Sequence, residues 1–176
     1  MKACDKRRRA PPDLPGTVRA PDPKVPSMTD HPIRLFADAA AVRRVGMGLL
    51  DQTLPREDWT HEAHLAACLW LVAERPEIVP ERDLPGIIRR FNEAKGGVND
   101  DNQGYHETLT QLYIRTVRQF YAGLTGVGLA DAVNALLSGP LGDRAWPLTL
   151  YSRDRLFSVA ARRGWIEPDQ PRAEAT

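Results

Sequence analysis

Cysteine is scarce in this chain, with Cys4 and Cys68 the only two among 176 residues. One lies in the leading stretch and the other inside an apolar helical run, so no disulfide framework holds the fold and a reducing compartment fits best. Long apolar runs are missing too. Nothing approaches the roughly 20 residues of a transmembrane helix, and the basic start Met1 to Arg9 runs into Ala10-Pro11-Pro12, where a signal peptide needs an apolar segment. The expected location is therefore cytoplasmic. Nor is there an excess of one charge: a net charge of +1 argues against a protein built mainly to hold nucleic acid. No pair of alternating apolar and polar strands is visible, and no internal repeat.

What is present is a chain with 42% apolar and 27% charged residues, enough for one sizeable core and too short for two roomy domains. Arginine outnumbers lysine 20 to 4, a bias that carries no functional weight by itself. Residues 1–27 hold six of the fifteen prolines and almost no large apolar side chain, which predicts a disordered Pro/Arg-rich tail over 1–30. The basic run Lys6-Arg7-Arg8-Arg9 reads as a solvated part of that tail. The helical domain is expected over 31–170, with a second disordered end over 171–176.

Within that domain the apolar spacing is helical nearly throughout. Leu35, Phe36, Ala39, Val42, Met47 and Leu50 predict a first helix over about 34–52, which Gly46 and Gly48 weaken by roughly 1 kcal/mol each against alanine. Asp58 or Thr60 caps a second that stops before Pro76. A third spans about 82–95 and ends at Gly96-Gly97, and a fourth spans about 105–122. Residues 129–138 and 153–163 supply two shorter ones, the last opened by Ser152 and closed by Gly164. The predicted fold is all-α, a single-domain bundle of five to six helices.

Chemistry concentrates on three histidines. His61 and His64 are three apart at the start of the second helix, so they share a face, and Leu65, Cys68, Leu69 and Val72 continue it. His106 opens the fourth helix in register with Leu109, Thr110, Tyr113 and Val117, so all three rings are expected to point inward. In the first turn the helix dipole disfavours the imidazolium form, which leaves a lone pair for a cation. Two histidines on one helix and a third from a facing helix can supply three ligands to a divalent transition metal, zinc or iron, with positions open for water or a small-molecule substrate. Glu107 is the first choice for a fourth ligand or a general base beside a metal-bound water; equally, it is a first-turn glutamate that suits the dipole or a capping box.

Two further readings stand beside the metal-dependent enzyme, whose reaction, hydrolytic or oxygen-using, the residues leave open. The histidines can be acid/base groups without metal, or structural residues in a helical binding or assembly module. The spacing His-x-x-His lacks the four-residue step of the metalloprotease His-Glu-x-x-His, so no zincin is implied. The loop Asn99-Asp100-Asp101-Asn102-Gln103 lacks the alternation and terminal glutamate of an EF-hand and reads as a connector. Trp59, Trp70, Tyr105 and Tyr113 are candidates to line a ligand pocket, and Arg153 or Arg155 to join the histidines around an anion.

The stretches Trp59-Thr60-His61-Glu62-Ala63-His64-Leu65, Gly104-Tyr105-His106-Glu107-Thr108-Leu109-Thr110 and Tyr151-Ser152-Arg153-Asp154-Arg155-Leu156 resemble a group of small bacterial helical proteins generally described as uncharacterised. The likeness covers about residues 55–170. It implies that the three stretches belong together and carries no activity, cofactor or substrate with it.

Overall fold

The computed structural model describes residues 33–170, so the expectations for the two chain ends lie outside the described residues. Seven α-helices follow one another: α1 (Ala39–Leu50), α2 (His61–Glu74), α3 (Pro80–Ala94), α4 (Glu107–Ala122), α5 (Leu129–Ser138), α6 (Arg153–Leu156) and α7 (Val159–Arg163). No strand occurs among the described residues. No helix among them is long and apolar enough to cross a membrane.

Helix α2 is the centre of the bundle and packs against α1, α3, α4 and α5. Its run from Leu65 to Leu71 is buried without a break, the pattern of a helix covered on every side. Val42, Leu84, Ile88, Ile114, Val117, Val133, Leu136 and Leu137 close around it.

Three departures from the helical spacing have local causes. Helix α1 starts at Ala39, later than periodicity suggests, because the Asp38 carboxylate accepts the Ala41 N–H at 2.7 Å and caps it there. The residues before it are held otherwise: the Asn134 amide accepts from the Phe36 N–H at 2.8 Å and donates to the Phe36 carbonyl at 2.9 Å. Helix α3 begins two residues early because Pro80 suits a first turn, where no N–H is needed, and like the expected helix it contains Pro85. Proline has no N–H to give the carbonyl four residues back; that carbonyl, Glu81 O, receives the Gln111 side-chain amide from α4 at 3.0 Å instead.

The helix expected over 153–163 is two helices, which makes seven among the described residues where five or six were expected. Ser158 divides them. Its hydroxyl accepts the Ala161 N–H at 3.2 Å and donates to the Arg155 carbonyl at 2.8 Å, so it caps α7 and stops α6.

The glycines of α1 are explained by packing. A Cβ on Gly46 would lie 2.0 Å from the Trp70 ring, so the missing side chain is the space into which that indole fits. Above it, Glu74 accepts Trp70 Nε1–H at 3.0 Å and a fork from Arg43 at 2.7 and 2.6 Å, which ties α1 to α2.

Candidate functional site

The first turns of α2 and α4, with α3 and the segments 144–148 and 156–157, surround a cavity of about 700 Å³. His61, His64 and His106 all line it. The three rings therefore share one cavity, and their bonding decides what each can do there.

Thr60 caps α2 through its hydroxyl, which accepts the Ala63 N–H, and this sets the first turn that carries His61 and His64. His61 Nε2–H donates to the Leu141 carbonyl at 2.8 Å. His64 Nδ1–H donates to the Thr60 carbonyl at 2.6 Å, and its ring lies 3.8 Å from the Trp59 ring, tilted by 30°. A carbonyl can only accept, so these bonds fix the tautomers: the free lone pair is Nδ1 on His61 and Nε2 on His64.

His106 is different. It is the N-cap of α4, its Nδ1 accepting the Leu109 N–H at 3.3 Å while Nε2–H donates to the Leu156 carbonyl at 2.9 Å. Both ring nitrogens are engaged. The third ring thus joins α4 to α6 and has no lone pair left for an ion.

Burial lowers the pKa of all three histidines. The effect is largest at His64, brought down to about 4, with its bond to Thr60 opposing and the nearby His61 and Arg144 assisting. The His64 ring is open to water through the cavity yet enclosed by protein, so its position combines accessibility with poor solvation of charge. Desolvation is the largest cause for each ring and favours its neutral form.

The wall is mostly apolar: Leu65, Ile88, Leu109, Ile114 and Leu148 among others, with Trp59, Tyr105 and Tyr113 as aromatic faces. Three of the four aromatic candidates therefore line the cavity. Trp70 does not; it is on the opposite side of α2, in the Gly46 gap. Tyr113 meets His61 edge on, with ring centroids 5.6 Å apart, and burial raises its phenol pKa, which keeps the hydroxyl protonated as a donor. Cys68 also lines the site, and burial pushes its thiol up to about 12, which removes it as a thiolate nucleophile or ligand at neutral pH.

Glu107 is outside the cavity lining. Its oxygens accept from the Tyr105 hydroxyl at 2.8 Å and the Gln111 amide at 2.9 Å, with Arg89 at 3.9 Å. It is in the first turn of α4 and meets Arg89 of α3, outside the lining that holds the three rings. Neither Arg153 nor Arg155 lines the cavity: Arg155 donates to the Glu167 carbonyl at 2.8 Å and Arg153 lies over the Phe157 ring. The cation that does is Arg144, in the turn before Trp146. Spacing could not reveal it, because it belongs to no helix and reaches the site only through the fold. The loop 99–103 is a connector as expected, closed by Asp100 accepting the Asn102 and Gln103 N–H groups at 2.8 and 2.9 Å.

Comparison with protein-family models, with curated proteins and with solved structures found no match to the chain. The functional reading thus comes from the cavity itself.

Proposed function

We propose that the protein binds a small organic molecule in the cavity between α2 and α4, with His64 Nε2 accepting a hydrogen bond from it and Trp59 and Tyr113 covering its apolar part. The observation that supports this is the combination of neutral, tautomer-fixed imidazoles with an apolar wall around about 700 Å³. Small-molecule sites have this character: about 300–1,000 Å³, mostly apolar, with a few polar groups that fix orientation. A ring that stays neutral down to about pH 4 is a good acceptor and a weak base. It therefore serves recognition in the resting protein, and a proton transfer at His64 requires a ligand that raises its basicity.

The test is thermal unfolding of untagged protein against a panel of aromatic and aliphatic small molecules with chelator present, followed by NMR of the histidine nitrogens. The expected result is a saturable rise in Tm for at least one compound, accompanied by a shift of His64 Nε2. No rise for any compound, or binding that leaves His64 unmoved, overturns the reading.

The metal-dependent enzyme expected from the sequence competes with it, and the donor set fits a metal in part. His61 and His64 each give one N–H to a backbone carbonyl and keep the other nitrogen free, the arrangement that commonly backs a metal-bound imidazole. A third donor is wanting. His106 would have to give up the Leu109 N–H that its Nδ1 accepts as the cap of α4, Glu107 is outside the lining, and among the described residues no group of three His, Cys, Asp or Glu is placed to hold an ion. Calorimetric titration of chelator-treated protein with zinc or iron(II) separates the readings: one-to-one uptake that His61→Ala abolishes supports the metal, and ligand binding without uptake supports the metal-free cavity.

A further inference from the structure

We infer that the molecule this cavity takes is a carboxylate-bearing apolar compound, held at its charged end by the Arg144 guanidinium. The inference rests on the small-molecule reading above and adds the chemical class of the ligand. Its first support is the charge of the wall. Among the described residues Arg144 is the one lysine or arginine that lines the cavity, and no aspartate or glutamate does. With its histidines neutral the lining carries a single positive charge.

The second support is that this charge is poorly matched within the protein. The carboxylate paired with Arg144 is Glu62, at 3.9 Å, beyond hydrogen-bond length. Of the other arginines near the site, Arg163 makes a fork to Asp101 at 2.6 and 2.7 Å, Arg162 donates to the Tyr105 carbonyl at 3.1 Å, and Arg89 lies over the Tyr105 ring, 3.9 Å from Glu107 and outside the lining. Asp143 precedes Arg144 in the chain and is the other carboxylate at this edge; one of its oxygens accepts the Ala145 N–H at 2.8 Å, and it is not in the lining. Arg144 has half of its side chain exposed, so its planar fork is available for bidentate capture of a carboxylate at the cavity mouth.

The third support is the direction of the helices. Both α2, of 14 residues, and α4, of 16, begin at the cavity, with Thr60, His61, His64, His106 and Thr110 from their first turns in its wall. Two positive helix ends add to the potential that Arg144 sets, and nothing negative in the wall opposes it. The apolar body of the ligand then lies inward, against Trp59, Tyr113 and Leu109.

Three probes of one shape test this: 2-naphthoate, neutral 2-naphthamide and cationic 2-naphthylmethylamine, titrated into the full chain and followed by tryptophan fluorescence. The wild type is expected to bind the carboxylate about tenfold more tightly than the amide, as a charge-assisted hydrogen bond allows, and the amine more weakly than either. In Arg144→Gln the naphthoate advantage should fall to about twofold or less while naphthamide affinity is unchanged. Equal affinity for acid and amide in the wild type, or an advantage that survives Arg144→Gln, overturns the assignment of the charge and leaves the cavity reading standing. Failure of all three probes, together with an unresponsive small-molecule panel, overturns both.

Discussion

Helix α2 has two long sides that the fold treats in opposite ways. Toward α1, Trp70 fills the space left by Gly46, and Glu74 receives both the indole N–H and the Arg43 fork. Toward the start of α4, His61, His64 and Cys68 face open volume. Both sides carry apolar residues and a ring or rings, Trp70 on one and the imidazoles of His61 and His64 on the other. The difference lies in the partner: a glycine helix can approach until the indole is enclosed, whereas α4 enters at His106, and its cap to Leu109 and bond to Leu156 hold its first turn beside segments that do not fill the gap. Periodicity records that a side is apolar. Whether it becomes core or cavity depends on how near the next helix can come.

The comparison is most directly broken at Gly46. Helix propensity favours Gly46→Ala by about 1 kcal/mol, but the new methyl would lie 2.0 Å from the Trp70 ring, and overpacking as close as this takes the upper end of the usual range, about 3 kcal/mol. Urea unfolding should show a net loss of about 2 kcal/mol. A gain would mean that the indole has room to retreat and that the closed side is not closed.

A smaller effect separates two histidines of the same cavity. His106→Ala removes an N-cap acceptor and leaves the Leu156 carbonyl without its donor, for an expected loss of about 2 kcal/mol. His64→Ala leaves the Thr60 carbonyl still bonded to the residue-64 backbone N–H at 3.0 Å, so about 1 kcal/mol or less should be lost. Similar losses for the two variants, measured by the same unfolding experiment, would remove the distinction between the structural ring and the ring left for a ligand.

The pH dependence sharpens the contrast further. In the unfolded chain histidines take protons near their ordinary pKa of about 6.5, while the folded rings stay neutral to lower pH, His64 to about 4. Between those values the unfolded state binds more protons, so stability falls as pH falls. The histidine contribution should be constant above about pH 6.5 and diminish below it, before carboxylates such as Glu74 and Asp83, held low by their arginine partners, begin to protonate. An NMR titration giving His64 an ordinary histidine pKa would show that its ring is solvated like a surface residue.

The smallest expected change is at Thr110, in the cavity wall. Thr110→Leu adds bulk where there is open volume, so stability should stay within about 1 kcal/mol of the wild type while binding of the naphthalene probes weakens. A loss as large as that of Gly46→Ala would show that the two sides of α2 are equally packed.

Much of the fold was legible because it depends on neighbours a few residues apart. The all-α class, the choice of Asp58 or Thr60 as the cap of the second helix and the first-turn placement of the three histidines all follow from spacing and from first-turn residues. The division of the last helix at Ser158 was also local, a serine cap within an apolar stretch, and was obscured because Ser152 offered an equally good cap earlier. Glu107 was misleading for a related reason. Adjacency in sequence to His106 put it on a neighbouring face of the same turn, where Tyr105 and Gln111 hold it.

By itself the sequence determined which turns carry the imidazoles and that those imidazoles have apolar neighbours, since side-chain direction on a helix is fixed by a period of 3.6 residues. Tertiary structure alone decided which ring nitrogens remain free, because the Leu141 and Leu156 carbonyls that bind His61 and His106 come from segments 80 and 50 residues away. It also brought Arg144 to the cavity and left open the volume beside α2. These depend on distances between elements, which the packing of bulky and missing side chains sets and no local pattern encodes.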